Sequence, residues 1–231
     1  IPIVVMAGGK GTRLEPFTKI LPKPLIPLNG KAVIEHIISN FEKQGANDFY
    51  LSINYKSKII KSYFVERSLK NKINYLEEKK PLGTAGALKL LARFTHNNYL
   101  ITNCDTLIKY DFFKILKFHK KHNNDLTIIT AKKNIEVPYG VCKIGNNKDL
   151  KEINEKPNFK FLVNTGTYII NKKIFKFIKK NKYCNFNHLI KNLIKFKSKV
   201  KIYSIPSQKW NDVGTWPEFN KTLANIKDID A

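Results

Sequence analysis

The feature that most constrains this chain is a glycine-rich turn set directly after an apolar run. Residues 1–7 (Ile-Pro-Ile-Val-Val-Met-Ala) are continuously apolar, as a strand buried on both faces should be. They pass without a spacer into Gly8-Gly9-Lys10-Gly11-Thr12-Arg13-Leu14. The turn is neither G-x-G-x-x-G nor a Walker A loop, since no Gly-Lys-Ser/Thr follows at the right spacing. Its physical content is similar. Three glycines let backbone N–H groups approach an anion, and Lys10 and Arg13 add positive charge. A turn that only reversed the chain would not need a Lys and an Arg inside it. Downstream, Pro16, Pro22, Pro24 and Pro27 place four prolines in twelve residues, a stiff segment with little entropy left to lose. Lys23, between Pro22 and Pro24, is held in one direction and suits a clamp on a second phosphate. The alternative, taken alone, is a surface lysine in a Pro-rich connector.

The pattern that follows alternates. Strand-like segments at 49–55, 73–77, 99–103 and 126–131 are interleaved with helical ones at 32–43, 57–65, 83–92 and 112–120. Such alternation predicts an α/β fold with a mostly parallel sheet and helices on both faces. The second half changes character, with strands at 140–144, 150–154 and 161–170, a helical pair through 174–196, a strand at 200–205 and a closing helix at 217–224. It is expected to pack as an extension on the carboxyl edge of the sheet, so that 1–231 is a single domain.

Composition narrows the function. The chain carries 42 Lys+Arg against 18 Asp+Glu, a net charge of +24, yet 42% of it is hydrophobic, which excludes a disordered polycation. No stretch reaches the roughly 20 apolar residues that cross a bilayer, so no membrane partner is expected. The charge alone would suit a nucleic-acid-binding module. Against that reading, Arg occurs only at Arg13, Arg67 and Arg93, whereas base readers rely on its bidentate fork, and no basic–aromatic motif is present. The run 172–201, with eleven Lys and no acid, is expected to be two amphipathic helices with solvated lysines, the alternative being a polyanion-binding face. Cys104, Cys142 and Cys184 show no metal-type spacing and read as buried or half-buried free thiols of a cytoplasmic, reducing compartment. The start at Ile1, without an initiator Met or a charged leader, is expected to be that of a domain excised from a longer chain.

The run GGKGTRLEPFTKILPKPLIPLNGK resembles the signature of the sugar-1-phosphate nucleotidyltransferases, and further matches extend to Trp216. The closest subgroup in appearance is the guanylyltransferase-like domain, often attached to upstream regulatory modules. The resemblance implies a Rossmann-like nucleotide-binding fold, a Mg²⁺ ion, and attack of a sugar-1-phosphate on an NTP. It divides the chain into a nucleotide-binding part, 1–135, and a sugar-phosphate-binding and closing part, 136–231.

It also implies roles residue by residue. Ala7, Gly8, Gly9, Gly11 and Thr12 would hold the nucleotide, Arg13 would stabilise charge at phosphorus, and Lys23 would hold phosphate. Leu82, Gly83 and Thr84, in Pro81-Leu82-Gly83-Thr84-Ala85-Gly86, would meet the base and ribose, with free N–H donors at a helix start. Asn103 joins the nucleotide site. Asp105 ends an apolar strand where a parallel sheet faces its ligand crevice, and with Asp212 it would hold the metal. Cys104 stands where the family usually has Gly. Gly140, Glu155, Lys156 and Asn164 would contact the sugar phosphate. The resemblance leans to GTP, with glucosamine-, mannose- or heptose-1-phosphate as acceptor. UTP, CTP and dTTP remain alternatives, as do a homo-oligomer and a domain that binds a nucleotide sugar without turnover.

Overall fold

The computed structural model describes residues 1–67 and 73–224. Segments 68–72 and 225–231 of the expected single domain lie outside the described residues.

In chain order the strands are β1 (Ile3–Met6), β2 (Pro27–Leu28), β3 (Lys31–Ala32), β4 (Phe49–Ile53), β5 (Ile73–Glu77), β6 (Asn98–Asn103), β7 (Thr106–Ile108), β8 (Leu126–Glu136), β9 (Val141–Ile144), β10 (Leu150–Asn154), β11 (Asn158–Asn171), β12 (Val200–Ile205) and β13 (Trp210–Asp212). The helices are α1 (Phe17–Ile20), α2 (Val33–Glu42), α3 (Ser57–Glu66), α4 (Gly83–Gly86), α5 (Phe112–Lys121), α6 (Phe186–Lys195) and α7 (Trp216–Ala224).

Seven strands form the central sheet in the order β12-β8-β11-β6-β1-β4-β5. Neighbours run parallel except β11, which is antiparallel to both β6 and β8. The expected mostly parallel sheet with flanking helices is therefore present. Strand β1 is buried along its whole length, and its alternating side chains feed two cores. Ile3, Val5 and Ala7 join the helix side of α2, α3 and α5, while Val4 and Met6 pack with Leu88, Leu91, Tyr99 and Leu189 on the other.

Local chemistry sets the helix ends. Glu35 accepts from the Ala32 backbone N–H at 2.8 Å to open α2, and Gly45 (φ 81) lies just beyond its end. Asp111 caps α5 by accepting from Phe113 and Lys114, and Asn185 caps α6 by accepting from His188.

Three expectations change. The second half is not an extension laid on the sheet edge: β11 and β12 are strands of the central sheet, while the β9–β10 hairpin and β13, paired with β7, stand outside it. Antiparallel insertion of β11 between β6 and β8 is a long-range pairing that local periodicity does not report. Residues 83–92 do not form one helix. The short α4 gives way to a 3₁₀ segment, Ala87–Arg93, and the Ala85 and Gly86 N–H groups of its first turn donate to the Cys184 carbonyl, both at 3.0 Å. The helical pair through 174–196 is a 3₁₀ turn, Lys172–Phe177, followed by α6 alone. Of the cysteines, Cys104 and Cys184 are buried and Cys142 is exposed, and all three are free.

Candidate active site

The glycine turn leaves β1 at the carboxyl edge of the sheet, beside the end of β6, where Met6 pairs with Asn103. Gly11 adopts φ 72, and a Cβ there would come within 2.9 Å of both Lys23 Cβ and Thr18 Cγ2. Thr18 closes the turn by donating to the Gly11 carbonyl at 3.0 Å. Lys23 therefore lies over the turn, as its place between two prolines suggests. Gly9 faces open space, and Thr12 and Arg13 are exposed.

Beyond β6 the chain turns through Cys104-Asp105 into β7. Strand β13 pairs antiparallel with β7, Asp212 opposite Thr106, and the Val213 N–H donates to the Asp105 carbonyl at 2.9 Å. This short ladder brings together two aspartates far apart in sequence. Gly214 sits between them. A Cβ on it would lie 2.4 Å from Asp105 Oδ2, 2.8 Å from Asp212 Oδ1 and 3.3 Å from Lys23 Nζ. Lys23 forms an ion pair with Asp105 Oδ2, both side chains nearly buried. The Gly214 N–H donates to Asp212 Oδ1 at 2.7 Å. Burial raises the Asp212 carboxyl above its usual pKa, the Asp105 charge raises it further, and Gly214, Lys23 and Arg13 pull it back. Burial pushes the neighbouring Cys104 thiol up to about 12, so it stays protonated and inert.

This donor set fits Mg²⁺. Two carboxylates border one point, while among the described residues no group of three or more His, Cys, Asp or Glu could hold a metal unaided. Mg²⁺ characteristically takes one or two carboxylates and completes its shell with water and substrate phosphate.

The segment Leu82–Gly86 differs in detail from its expected role. A Cβ on Gly83 (φ 77) would lie 2.6 Å from the Cys184 carbonyl oxygen, and one on Gly86 would lie 2.8 Å from that of Lys182. These glycines admit the backbone of 182–184 rather than leaving room for a planar base. The expected free donors at Ala85 and Gly86 are taken by Cys184, and Thr84 Oγ1 accepts from the Phe186 N–H. The Leu82 N–H donates to Glu78 Oε2 at 2.9 Å.

Glu78 is the residue that the sequence reading missed. It follows the carboxyl end of β5, accepts from Ser52 Oγ at 2.6 Å, and its Oε1 lies 2.6 Å from where Gly8 would carry a Cβ. A carboxylate thus stands between the glycine turn and Leu82. The signal was available, because Glu78 is the first residue after a strand and lies three positions before Pro81-Leu82-Gly83-Thr84, by the same strand-end rule that selected Asp105.

The expected sugar-phosphate residues lie on the β8–β11 ribbon and the hairpin at its tip. Gly140 and Glu155 meet there, Glu155 Oε2 being 3.0 Å from a Gly140 Cβ, and the Lys156 N–H donates to the Tyr139 carbonyl at 3.3 Å. Asn164 donates to Tyr168 OH at 2.7 Å and accepts from the Gly166 N–H at 3.0 Å. Asn103 Nδ2 lies 2.4 Å from where Gly166 would carry a Cβ, which links the nucleotide edge to this strand. Among the described residues no hydrogen bond or ion pair joins the Glu155–Lys156 turn to the Asp105–Lys23–Asp212 cluster.

A glycine turn and an acidic pair at the carboxyl edge of a mostly parallel sheet suit a nucleotide-handling enzyme. The chain belongs to the nucleotidyl transferase family, whose model matches residues 3–229. It is 32% identical over 225 residues to the D-glycero-alpha-D-manno-heptose 1-phosphate guanylyltransferase of Campylobacter jejuni, covering 96% of this chain and 98% of that protein. It is 36% identical over 179 residues to the mannose-1-phosphate guanylyltransferase catalytic subunit beta of Dictyostelium discoideum, covering 74% of this chain and 50% of that one. The chain thus spans nearly all of the first relative and about half of the second. HddC from Yersinia pseudotuberculosis, solved in complex with GMP-PN, superposes with a TM-score of 0.77 at 26% identity over 97% of this chain and 99% of that one. The protein is a sugar-1-phosphate nucleotidyltransferase by class.

Proposed function

We propose that this enzyme transfers GMP from GTP to a sugar-1-phosphate, with heptose-1-phosphate first among the acceptors, then mannose- and glucosamine-1-phosphate. The observation that carries the reading is the convergence of Asp105, Asp212 and Lys23 on Gly214, beside the glycine turn. The chain's near-complete match to a heptose-1-phosphate guanylyltransferase supports the acceptor. Glu78 supports the base: guanine offers two adjacent N–H donors on its Watson–Crick edge, which a carboxylate accepts, whereas uracil, thymine and cytosine offer no such pair.

A sugar-phosphate oxygen attacks the α-phosphorus in line, the bond from the α-phosphorus to the bridging oxygen breaks, and pyrophosphate leaves. The attacking phosphate is already ionised, so no enzyme nucleophile is required. Mg²⁺ held by Asp105 and Asp212 would supply charge neutralisation at the α-phosphate when bound. The glycine turn binds the triphosphate, and Arg13 stabilises charge at phosphorus and on the leaving pyrophosphate. Lys23 and Lys156 hold the incoming phosphate against anion repulsion, and Glu155 binds sugar hydroxyls. Catalysis is then positioning plus electrostatic stabilisation. The three free cysteines fit action in a reducing, cytoplasmic setting.

The test is pyrophosphate release with GTP, UTP, CTP and dTTP against the three sugar phosphates, with products identified by mass spectrometry. GDP-heptose formed fastest supports the reading, whereas release with UTP but not GTP overturns the base. Arg13→Ala should lose about 10²–10³-fold in turnover with an unchanged circular-dichroism spectrum. Near-normal turnover would remove Arg13 from its role.

A further inference from the structure

Lys56 opens α3 in the left-handed backbone region, at φ 51. Its side chain runs back to α1. There the ammonium donates to the carbonyls of Lys19 and Ile20, at 2.5 and 2.7 Å, and reaches that of Thr18 at 3.4 Å. These carbonyls end a helix of four residues, which cannot satisfy them internally. The preceding residue adds to the tie: the Tyr55 hydroxyl also donates to the Thr18 carbonyl, and the Tyr55 N–H to that of Gly8, both at 3.4 Å.

The segment held in this way carries Lys23. Only Leu21 and Pro22 separate the Ile20 carbonyl from it, the Leu21 N–H is bonded to Phe17, and the Pro22 ring fixes its own φ at −64°. Thr18 in turn holds Gly11, whose lack of a Cβ leaves room for the Lys23 stem. A displacement of the 18–20 carbonyls would reach Lys23 with little slack. The Lys56 charge also covers the negative end of α1.

We propose that Lys56 is a positioning residue for Lys23, a cationic tether that sets the proline-rich segment over the glycine turn without touching substrate. The proposal rests on the nucleotidyl-transfer reading of Lys23.

The test compares Lys56→Met, Lys56→Arg, Lys23→Met and the Lys56→Met/Lys23→Met double variant. Lys56→Met is expected to lower kcat for pyrophosphate release about 10-fold, since small misplacements of catalytic groups have effects of this size or larger. The KM for sugar-1-phosphate should move less than about 3-fold, and Lys56→Arg should restore most of the loss. In the Lys23→Met background, Lys56→Met should change kcat less than about 2-fold, because a tether acting through Lys23 has nothing left to position. Amide exchange across 17–25 should quicken about 10-fold in Lys56→Met and not in Lys56→Arg. Equal losses in both backgrounds, an unchanged kcat, or unchanged exchange across 17–25 each overturn the tether. Absence of pyrophosphate release by the unsubstituted protein with every NTP would instead overturn the transfer reading, and the exchange measurement still decides the tether.

Discussion

Asp105 Oδ2 and Asp212 Oδ1 flank the one point where Gly214 would carry a Cβ, at 2.4 and 2.8 Å, with Lys23 Nζ 3.3 Å away. Gly214 is buried and has no left-handed backbone to excuse a glycine. It is there because any side chain would drive the two carboxylates apart. Gly214→Ala is therefore expected to lower turnover about 10²-fold or more by displacing both acids, with secondary structure unchanged. Pyrophosphate release beside far-ultraviolet circular dichroism measures both effects, and wild-type turnover would show that the acids need not meet there.

Asp212 is held above the usual carboxylate range, by burial first and by Asp105 second. A raised folded-state pKa means that the folded protein binds a proton more readily than the unfolded chain. In the window between the ordinary value and the raised one, stability therefore falls as pH rises. At neutral pH the ionised Asp212 is a net cost to the fold. Asp212→Asn keeps an oxygen to accept from Gly214 and removes the charge, so it should raise Tm at pH 7 by a few degrees, about 2–4 °C per kcal/mol at this size, while turnover is lost. A drop in Tm measured by calorimetry would contradict this balance.

In the guanine reading proposed above, the half-buried Glu78 carboxylate would separate the bases. Glu78→Gln replaces one acceptor oxygen with a donor. It should lower kcat/KM for GTP about 10-fold or more and narrow the preference over UTP, because a site left with a mismatched polar group rejects its own ligand. Competition between GTP and UTP in one reaction, read by mass spectrometry, gives the ratio directly. An unchanged ratio removes Glu78 from base selection.

His119 lies in the core, its ring bonded to Thr127 Oγ1 at 2.8 Å and Asn98 Oδ1 at 3.3 Å, and burial lowers its pKa to about 4. Between the ordinary pKa near 6.5 and about 4, the unfolded chain takes up a proton that the folded protein resists. Stability should accordingly fall as pH drops through this window, by roughly 3 kcal/mol in all. Urea midpoints at pH 7 and pH 4.5 measure it, and His119→Gln should flatten the slope. An identical slope in that variant would assign the acid sensitivity elsewhere.

Much of the site was legible because its parts are local. A buried apolar strand running into Gly8-Gly9-Lys10-Gly11 needs no tertiary knowledge to be read as an anion-binding turn, and Pro22 and Pro24 stiffen Lys23 by covalent chemistry alone. Asp105 was visible as an acid at a strand end. What local pattern could not show was that Gly83 and Gly86 make room for the 182–184 backbone, or that β11 enters the sheet antiparallel between β6 and β8. Periodicity reports which face of a segment is apolar, not which distant segment will cover it.

The amino-acid order by itself determined the alternating α/β layers, the glycine turn after the first strand and the stiff lysine, since each depends on backbone preference and side-chain spacing within about a dozen residues. Tertiary structure alone decided that Asp105 and Asp212 share one point, that Glu78 reaches Gly8, and that Lys56 ties down the segment bearing Lys23. Those meetings depend on the β7–β13 ladder and on the order of strands in the sheet. Such long-range closures follow from burial of the whole core, and no short stretch of sequence encodes them.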